Sequence, residues 1–165
     1  MKRHLLLLPL TVAVLTLAAC SDSNKDKKKA TPETVEVKQG SGAVCPIPKK
    51  AYSCQITVND KSGNESKFDM DLRSLENNSR QQILSVEGFE YLADGRIHQA
   101  TNSEGVQIRY AVNCTATFAE LAVNSTNSSN AMRLRILPQT NRELQLEVYV
   151  QNADGNYAQG TGLCR

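Results

Sequence analysis

Apolar and polar residues alternate with a period of two through most of the chain beyond residue 50. The clearest runs lie at 66–73, 106–118, 131–137 and 142–150. A strand with one face toward a core and the other toward water has this pattern, whereas an amphipathic helix repeats its apolar residues every three to four positions. The pattern therefore predicts an all-β domain of antiparallel strands.

Turn-forming residues separate these runs. We predict about seven or eight strands, some of the following ranges merging: 51–58, 66–73, 80–86, 88–93, 96–101, 106–118, 131–137, 142–150 and 157–164. The segment Thr117–Val123 is predicted to make one or two helical turns, and 124–130 a solvated loop. The fold class that follows is a small antiparallel β-barrel or β-sandwich.

Two hairpins have a turn or a pattern that specifies a register. The Asp94-Gly95 dipeptide suits a two-residue turn with positive φ values, which pairs Leu92 with Ile97 and Tyr91 with His98.

In the second hairpin, setting Ile136 opposite Leu144 buries the apolar residues of both strands. The same register places Arg133 opposite Glu147 on the solvent face, which is a favourable cross-strand pair. A slip by one residue would bury the charges instead.

The N-terminus combines positive charge, an apolar run and a cysteine in a fixed order. Lys2 and Arg3 precede Leu5–Leu17, whose thirteen residues fall short of the roughly 20 that a spanning helix needs. The run ends in the motif Leu17-Ala18-Ala19-Cys20. This segment resembles the signal peptide of bacterial lipoproteins. The resemblance implies that residues 1–19 are removed and that the Cys20 sulfur carries lipid.

Two or three acyl chains on Cys20 would attach the protein lastingly to a membrane. Ser21 follows Cys20, at the position where Asp usually retains lipoproteins in the inner membrane. The resemblance therefore implies an outer-membrane lipoprotein that faces the periplasm of a Gram-negative envelope.

Residues 20–44 differ in composition from the rest of the chain. They include four lysines between 25 and 29, the stretch Gly40-Ser41-Gly42, and no aromatic residue. Such a segment buries too little apolar area to offset the entropy of ordering, so we predict a disordered linker, followed by the β-domain at 45–165. Val35 and Val37 alternate with charged residues, which leaves open a short strand or docking arm.

With Cys20 lipidated, Cys45, Cys54, Cys114 and Cys164 remain. Four cysteines in an exported domain predict two disulfides, with three possible connectivities. Because Cys54 and Cys114 share the parity of the apolar residues in their strands, we predict Cys54–Cys114 and Cys45–Cys164. The main alternative is Cys45–Cys54 with Cys114–Cys164. A zinc site is disfavoured, since no Cys-x-x-Cys occurs.

The β-domain is nearly neutral. Residues 45–165 contain 12 Lys and Arg against 13 Asp and Glu, so the net charge of +2 of the whole chain comes from the leader and linker. A nucleic-acid-binding domain carries a basic patch. Nucleic acid is therefore excluded as a partner.

Candidate catalytic residues are few. His98 is the only histidine after position 19, and its predicted neighbours Tyr91, Arg96 and Ala100 offer no carboxylate to orient it as in a Ser–His–Asp triad. No Gly-x-Ser-x-Gly, Ser-x-x-Lys or His-Glu-x-x-His motif occurs. We expect a domain without catalytic residues or cofactor.

Two acidic stretches are candidate metal sites. Asp69 and Asp71 project from one face of a predicted strand, as on many solvent-exposed strands. Asp60–Glu65 lacks the spacing of a calcium loop and is interpreted as a hairpin turn. We expect no metal.

The domain is similar to lysozyme-inhibitor lipoproteins at a few positions. These are Tyr52-x-Cys54 near its start, Ser103-x-Gly105 ahead of Tyr110, and Cys164 near the C-terminus. The Ser-Gly-x-x-Tyr spacing of the inhibitor loop is broken here, and the later Trp and Lys-Gly-Asp segments are missing. The resemblance implies an inhibitor of a cell-wall hydrolase, with the stretch Asn102–Tyr110 as its contact surface.

The sequence thus predicts a membrane-anchored envelope lipoprotein whose non-enzymatic β-domain binds a partner protein or serves envelope assembly. Its partners would be the membrane, through Cys20, and an envelope protein. The alternative is the periplasmic hydrolase inhibitor.

Overall fold

A computed structural model describes residues 33–101 and 105–165. Within these ranges the chain forms strands and no helix. The strands are β1 (Ala51–Asp60), β2 (Glu65–Glu76), β3 (Gln82–Val86), β4 (Phe89–Leu92), β5 (His98–Thr101), β6 (Gln107–Cys114), β7 (Ala119–Ser125), β8 (Ala131–Pro138), β9 (Leu144–Gln151) and β10 (Tyr157–Cys164). The all-β prediction is confirmed, with ten strands in place of the expected seven or eight.

All ten strands belong to one antiparallel sheet, curled into a half-barrel, in the order β4-β3-β2-β1-β10-β9-β8-β7-β6-β5. Every neighbouring pair consists of strands consecutive in the chain, except β1 and β10. Those two strands pair from Cys54 opposite Cys164 to Asp60 opposite Ala158. One long-range pairing therefore joins the first strand to the last.

The alternation in sequence corresponds to the two faces of the sheet. In β1 the residues Tyr52, Cys54, Ile56 and Val58 are buried in the main core, and the residues between them are exposed or half-buried. The opposite side of the sheet, here called the outer face, carries the charged residues of the strands. Period-two patterning thus places side chains correctly, as expected for a sheet with one dry face.

The predicted long strand at 106–118 is interrupted, and the predicted helical turns at 117–123 are wrong. The Thr115 hydroxyl oxygen accepts hydrogen bonds from the backbone N–H groups of Thr117 and Phe118, at 3.2 and 3.1 Å. This side-chain turn reverses the chain between β6 and β7. Because the sequence Thr-Ala-Thr-Phe contains neither Gly nor Pro, the turn signal was weak.

The hairpin of β8 and β9 is confirmed, but its predicted register is wrong by two residues. Ile136 lies opposite Leu146, and Arg135 takes the place predicted for Arg133 opposite Glu147. The turn is centred one residue later than expected, because the Gln139 N–H donates to the Glu143 carbonyl at 2.9 Å and closes the turn on residues 140–142. A shift of two keeps every side chain on its own face, so alternation alone does not detect it.

All four cysteines of the domain form disulfides, but both predicted connectivities are wrong. Cys45 is bonded to Cys114 and Cys54 to Cys164. The cause is the strand order. Because β1 lies beside β10, Cys54 and Cys164 are direct cross-strand neighbours with Cα atoms 3.9 Å apart.

Residues 33–44, here called the arm, lie against the sheet although they were assigned to a disordered linker. Val35 is buried against Ala122 and Tyr149 on the outer face, and Val37 packs at the edge of that cluster. The alternative of a docking arm describes these residues. Residues 1–32, with the predicted leader, Cys20 and the first part of the linker, lie outside the described ranges.

The arm ends inside the half-barrel. Cys45 and Ile47 join the main core, and the Cys45 N–H donates to Gln82 Oε1 at 3.1 Å. The Ile47 carbonyl accepts a hydrogen bond from the buried Ser74 hydroxyl at 3.4 Å.

Among the described residues, no helix offers the length and apolar character needed to traverse a membrane.

Candidate functional site at the seam between β4 and β5

The sheet does not close between its two end strands. β4 and β5 occupy opposite ends of the strand order, and the gap between Phe89–Leu92 and His98–Thr101 is here called the seam. The predicted hairpin that paired Leu92 with Ile97 is therefore wrong. β4 pairs with β3, and β5 pairs with β6.

The Asp94-Gly95 turn is bound to neighbouring backbone and does not form a two-residue hairpin. The Gly95 N–H donates to the Val112 carbonyl at 3.1 Å, and its carbonyl accepts from the Gly40 N–H at 2.7 Å. Gly95 has φ 74°, and a Cβ there would collide with the backbone nitrogen of Gly42. Glycine is needed here for both reasons, and its hydrogen bonds attach the turn to β6 and to the arm.

Four aromatic rings line the seam in a continuous row. The Phe89 and Tyr91 centroids lie 4.9 Å apart, and Tyr91 meets Tyr110 edge-on at 5.1 Å. His98 stacks on Tyr110 at 5.2 Å. The Tyr110 hydroxyl oxygen accepts the N–H of Leu92 at 3.3 Å, so a side chain from β6 caps the edge of β4. Burial, followed by the neighbouring Tyr110, raises the pKa of Tyr91 to about 12.

His98 has an acidic partner that sequence reasoning missed. Asp94 Oδ1 accepts hydrogen bonds from His98 Nε2 at 2.8 Å and from the Arg96 N–H at 2.9 Å. Burial alone would raise the pKa of Asp94, but these hydrogen bonds and the positive charges of His98 and Arg96 outweigh it, so the pKa lies below its ordinary value. The i, i+4 spacing was visible in the sequence, but the assumed hairpin directed Asp94 away from His98.

The His98–Asp94 pair does not build a catalytic triad from the described residues. No serine hydroxyl or cysteine thiol among them lies within hydrogen-bond distance of the imidazole. The ring instead packs on Tyr110 with its Nε2 toward Asp94. The pair therefore joins the Asp94-Gly95 turn to the start of β5.

The seam has two properties of a protein-binding surface. β4 and β5 each present one edge without a neighbouring strand in the described sheet, and apart from the Leu92 N–H, which is bound by Tyr110, such an edge is a template for an added strand. The half-buried apolar side chains of Phe89, Ala100 and Ile108 pack on the core beside these edges. Backbone hydrogen bonds and apolar contacts are thus offered together.

The two acidic stretches lie in different surroundings. Asp60 Oδ1 accepts the N–H groups of Ser62 and Asn64, at 2.7 and 2.8 Å, in the turn between β1 and β2, so the hairpin interpretation is confirmed. Asp69 and Asp71 are exposed on the outer face of β2. The described ranges contain no group of three or more His, Cys, Asp or Glu residues placed to hold a metal ion.

The residues of the lysozyme-inhibitor resemblance are divided between core and seam. Tyr52 is buried and donates its hydroxyl to the Pro48 carbonyl at 3.1 Å. Gly105 precedes β6, and Tyr110 lies in the aromatic row. Asn102–Glu104, the start of the predicted contact stretch, lie outside the described ranges. The described part of that stretch therefore borders the seam.

Comparisons with protein-family models, with curated proteins and with solved structures found no match.

Proposed function

We propose that this protein is an envelope lipoprotein, anchored by lipid on Cys20, whose non-enzymatic β-domain binds a partner protein at the seam. The single observation that carries the binding proposal is the seam itself, where two strand edges lie beside the half-buried apolar side chains of Phe89, Ala100 and Ile108. The partner would be a protein that supplies an extended segment with apolar side chains.

The proposed location is the periplasmic side of the outer membrane in a Gram-negative envelope. Leu17-Ala18-Ala19-Cys20 supports the lipid anchor, and Ser21 supports the outer membrane. Two disulfides support an oxidising compartment, because disulfides persist there and are rare in the cytosol.

Lipidation is tested by labelling cells with radioactive palmitate. The wild type should incorporate label and sediment with membranes. Cys20→Ser should do neither. Label retained by Cys20→Ser would contradict the anchor.

Partner binding is tested by capture from detergent-solubilised envelopes. The seam variant Glu90→Lys/Gln99→Lys changes two exposed residues, one on each edge strand. The control Gln55→Lys/Gln145→Lys changes two exposed outer-face residues. One stoichiometric partner should be recovered with the wild type and the control, and lost with the seam variant. Equal recovery from both variants would exclude the seam.

A second candidate is an inhibitor of a cell-wall hydrolase. The observation that favours it is that Ile108 and Tyr110, from the predicted contact stretch, lie at the same seam. In that case the captured partner would be a muramidase, and the purified protein would inhibit it. Unchanged muramidase activity at high molar excess would exclude this candidate.

A further inference from the structure

The arm follows a definite path across the outer face. It begins where the Glu33 N–H donates to the Tyr149 hydroxyl oxygen at 3.2 Å and the Glu33 carboxylate pairs with Arg133 Nη1. Tyr149 and Arg133 are opposite each other in β9 and β8. Next, Val35 is buried against Ala122 of β7. The first residues of the arm are thus held by a charge pair, a hydrogen bond and an apolar contact.

Two asparagine side chains hold the arm further along. The Asn124 side-chain amide donates to the Val35 carbonyl at 3.0 Å, and the Asn113 amide donates to the Lys38 carbonyl at 2.9 Å. Asn124 is on β7 and Asn113 on β6, so the arm crosses the strands in the order β9 and β8, β7, β6. At Gly40 it reaches the Asp94-Gly95 turn beside the seam. The arm therefore runs around the curled sheet and does not leave it directly.

Docking of the arm shortens the connection to Cys20. Thirteen Cα–Cα steps separate Cys20 from Glu33, so even a fully extended chain spans at most about 43–47 Å. Without docking, the connection would run to Cys45 in 25 steps and span at most about 83–90 Å. The hydrogen bonds of the arm thus halve the reach.

The docking also sets the side from which the connection leaves. Around the sheet, β7, β6 and β5 lie between β8 and the seam. A domain of about 120 residues is roughly 35 Å across. With the seam on the bilayer, the connection would have to run past β7, β6 and β5, about 15 Å around the curled sheet, and this detour restricts its conformations at an entropic cost that the opposite orientation avoids.

We propose that the arm orients the domain on the membrane: the outer face of β8 and β9 faces the lipid surface, and the seam faces away from it. This inference rests on the proposed lipid at Cys20. Under it, the seam is presented to partners at a distance from the bilayer, and the lipid surface contacts the outer face near Glu33.

The test places a photo-crosslinking amino acid in the membrane-bound full chain, at Gln145 on the outer face of β9 or at Gln99 on β5. Lipid crosslinks should be several-fold more abundant from position 145. Equal yields, or more from position 99, would overturn the orientation. In Cys20→Ser, both positions should lose lipid crosslinks. A wild type that does not sediment with membranes would overturn the anchor and the orientation together.

Two changes should abolish the asymmetry. Val35→Asp/Asn124→Ala removes the apolar contact and one hydrogen bond of the arm, whereas Glu36→Ala, at an exposed arm residue, should leave the ratio unchanged. A twelve-residue Gly-Ser insertion between residues 32 and 33 restores the longer reach without altering a described residue. An asymmetry that survives this insertion would overturn the role of the arm.

Discussion

Asp94 shows how one side chain can be misjudged when the local backbone path is assumed. The sequence predicts that Asp94 lies in a two-residue hairpin turn, whereas in the structure its carboxylate accepts a hydrogen bond from His98. Parity predicted correctly that Cys54 and Cys114 face the core. Parity did not predict their partners, because a disulfide depends on which strands are adjacent, and adjacency is not a property of one strand's pattern.

The hydrogen bonds of Asp94 predict a pH-dependent contribution to stability. Despite burial, which acts to raise it, the pKa of Asp94 is lowered from 3.8 in the folded protein by its hydrogen bonds from His98 and Arg96. The contribution is therefore full at pH values above 3.8 and is lost as the pH falls through the lowered pKa. Asp94→Asn should reduce the free energy of unfolding at pH 7, with a difference from wild type that shrinks below pH 3.8.

Urea unfolding at several pH values measures this difference. Glu90→Gln, which changes an exposed carboxylate on β4, serves as the control. The prediction would be contradicted if the difference for Asp94→Asn stays constant down to about pH 2.5, which lies more than one unit below the ordinary pKa of Asp.

Gly95 is expected to be much less tolerant than Gly88, although both have positive φ values, 74° and 80°. Alanine at either position adopts a left-handed conformation that costs about 1–2 kcal/mol. At Gly88 the added Cβ meets nothing within 4 Å, whereas at Gly95 it collides with Gly42 of the arm. Gly95→Ala should therefore lower the free energy of unfolding more than Gly88→Ala, as measured by urea titration. If both variants lose the same free energy of unfolding, the arm moves away from the added Cβ at no energetic cost, and the prediction is contradicted.

At the scale of elements, the hydrophobic pattern identified the strands and their inward faces but not all of their connections. The turn at Thr115 is made by a hydroxyl group, and the register of β8 and β9 is set by the position of the turn at Gln139–Glu143. The arm was assigned to the linker because it has only three large apolar residues, Val35, Val37 and Val44, and Val44 is exposed. Its other contacts are made by side chains of the sheet.

The corrected register predicts which charges interact. Arg135 Nη1 lies 3.5 Å from Glu147 Oε2, while Arg133 pairs with Glu33 of the arm. A double-mutant cycle between Arg135→Ala and Glu147→Ala should give a coupling energy of about 0.2–1 kcal/mol. The control cycle between Arg133→Ala and Glu147→Ala should give a value near zero. The reverse result would restore the register expected from the sequence.

At the scale of the molecule, the sequence pattern does not predict one strand pairing, that of β1 with β10. The other eight pairings join consecutive strands and follow from short connections, but the pairing of β1 with β10 has no signal in the pattern of either strand. The five residues between Leu92 and His98 connect the two ends of the strand order, so the sheet has to curl. The β1–β10 pairing makes one sheet rather than a sandwich of two, and the short connection between β4 and β5 curls that sheet into a half-barrel. The seam is where the same sheet ends without pairing its last two strands.

The Cys54–Cys164 disulfide should contribute strongly to global stability, because it closes a separation of 110 residues across β1 and β10. The chain-entropy model gives a maximum of about 4–5 kcal/mol for loops of this length. Cys54→Ser/Cys164→Ser should lose much of that in urea unfolding. Cys45→Ser/Cys114→Ser, which opens a separation of 69 residues, should in addition increase hydrogen exchange in the arm. Peptide mapping without reduction that recovers Cys45 linked to Cys54 would contradict both expectations.

The interleaved disulfides also constrain biogenesis. In an oxidising compartment entered N-terminus first, Cys45 and Cys54 arrive together, long before Cys114 and Cys164. Neither native bond joins cysteines that are consecutive in the chain. An oxidant that links thiols in order of arrival therefore produces a wrong bond first, and a thiolate must reopen it by exchange. Efficient maturation of this domain thus depends on disulfide isomerisation as well as on oxidation.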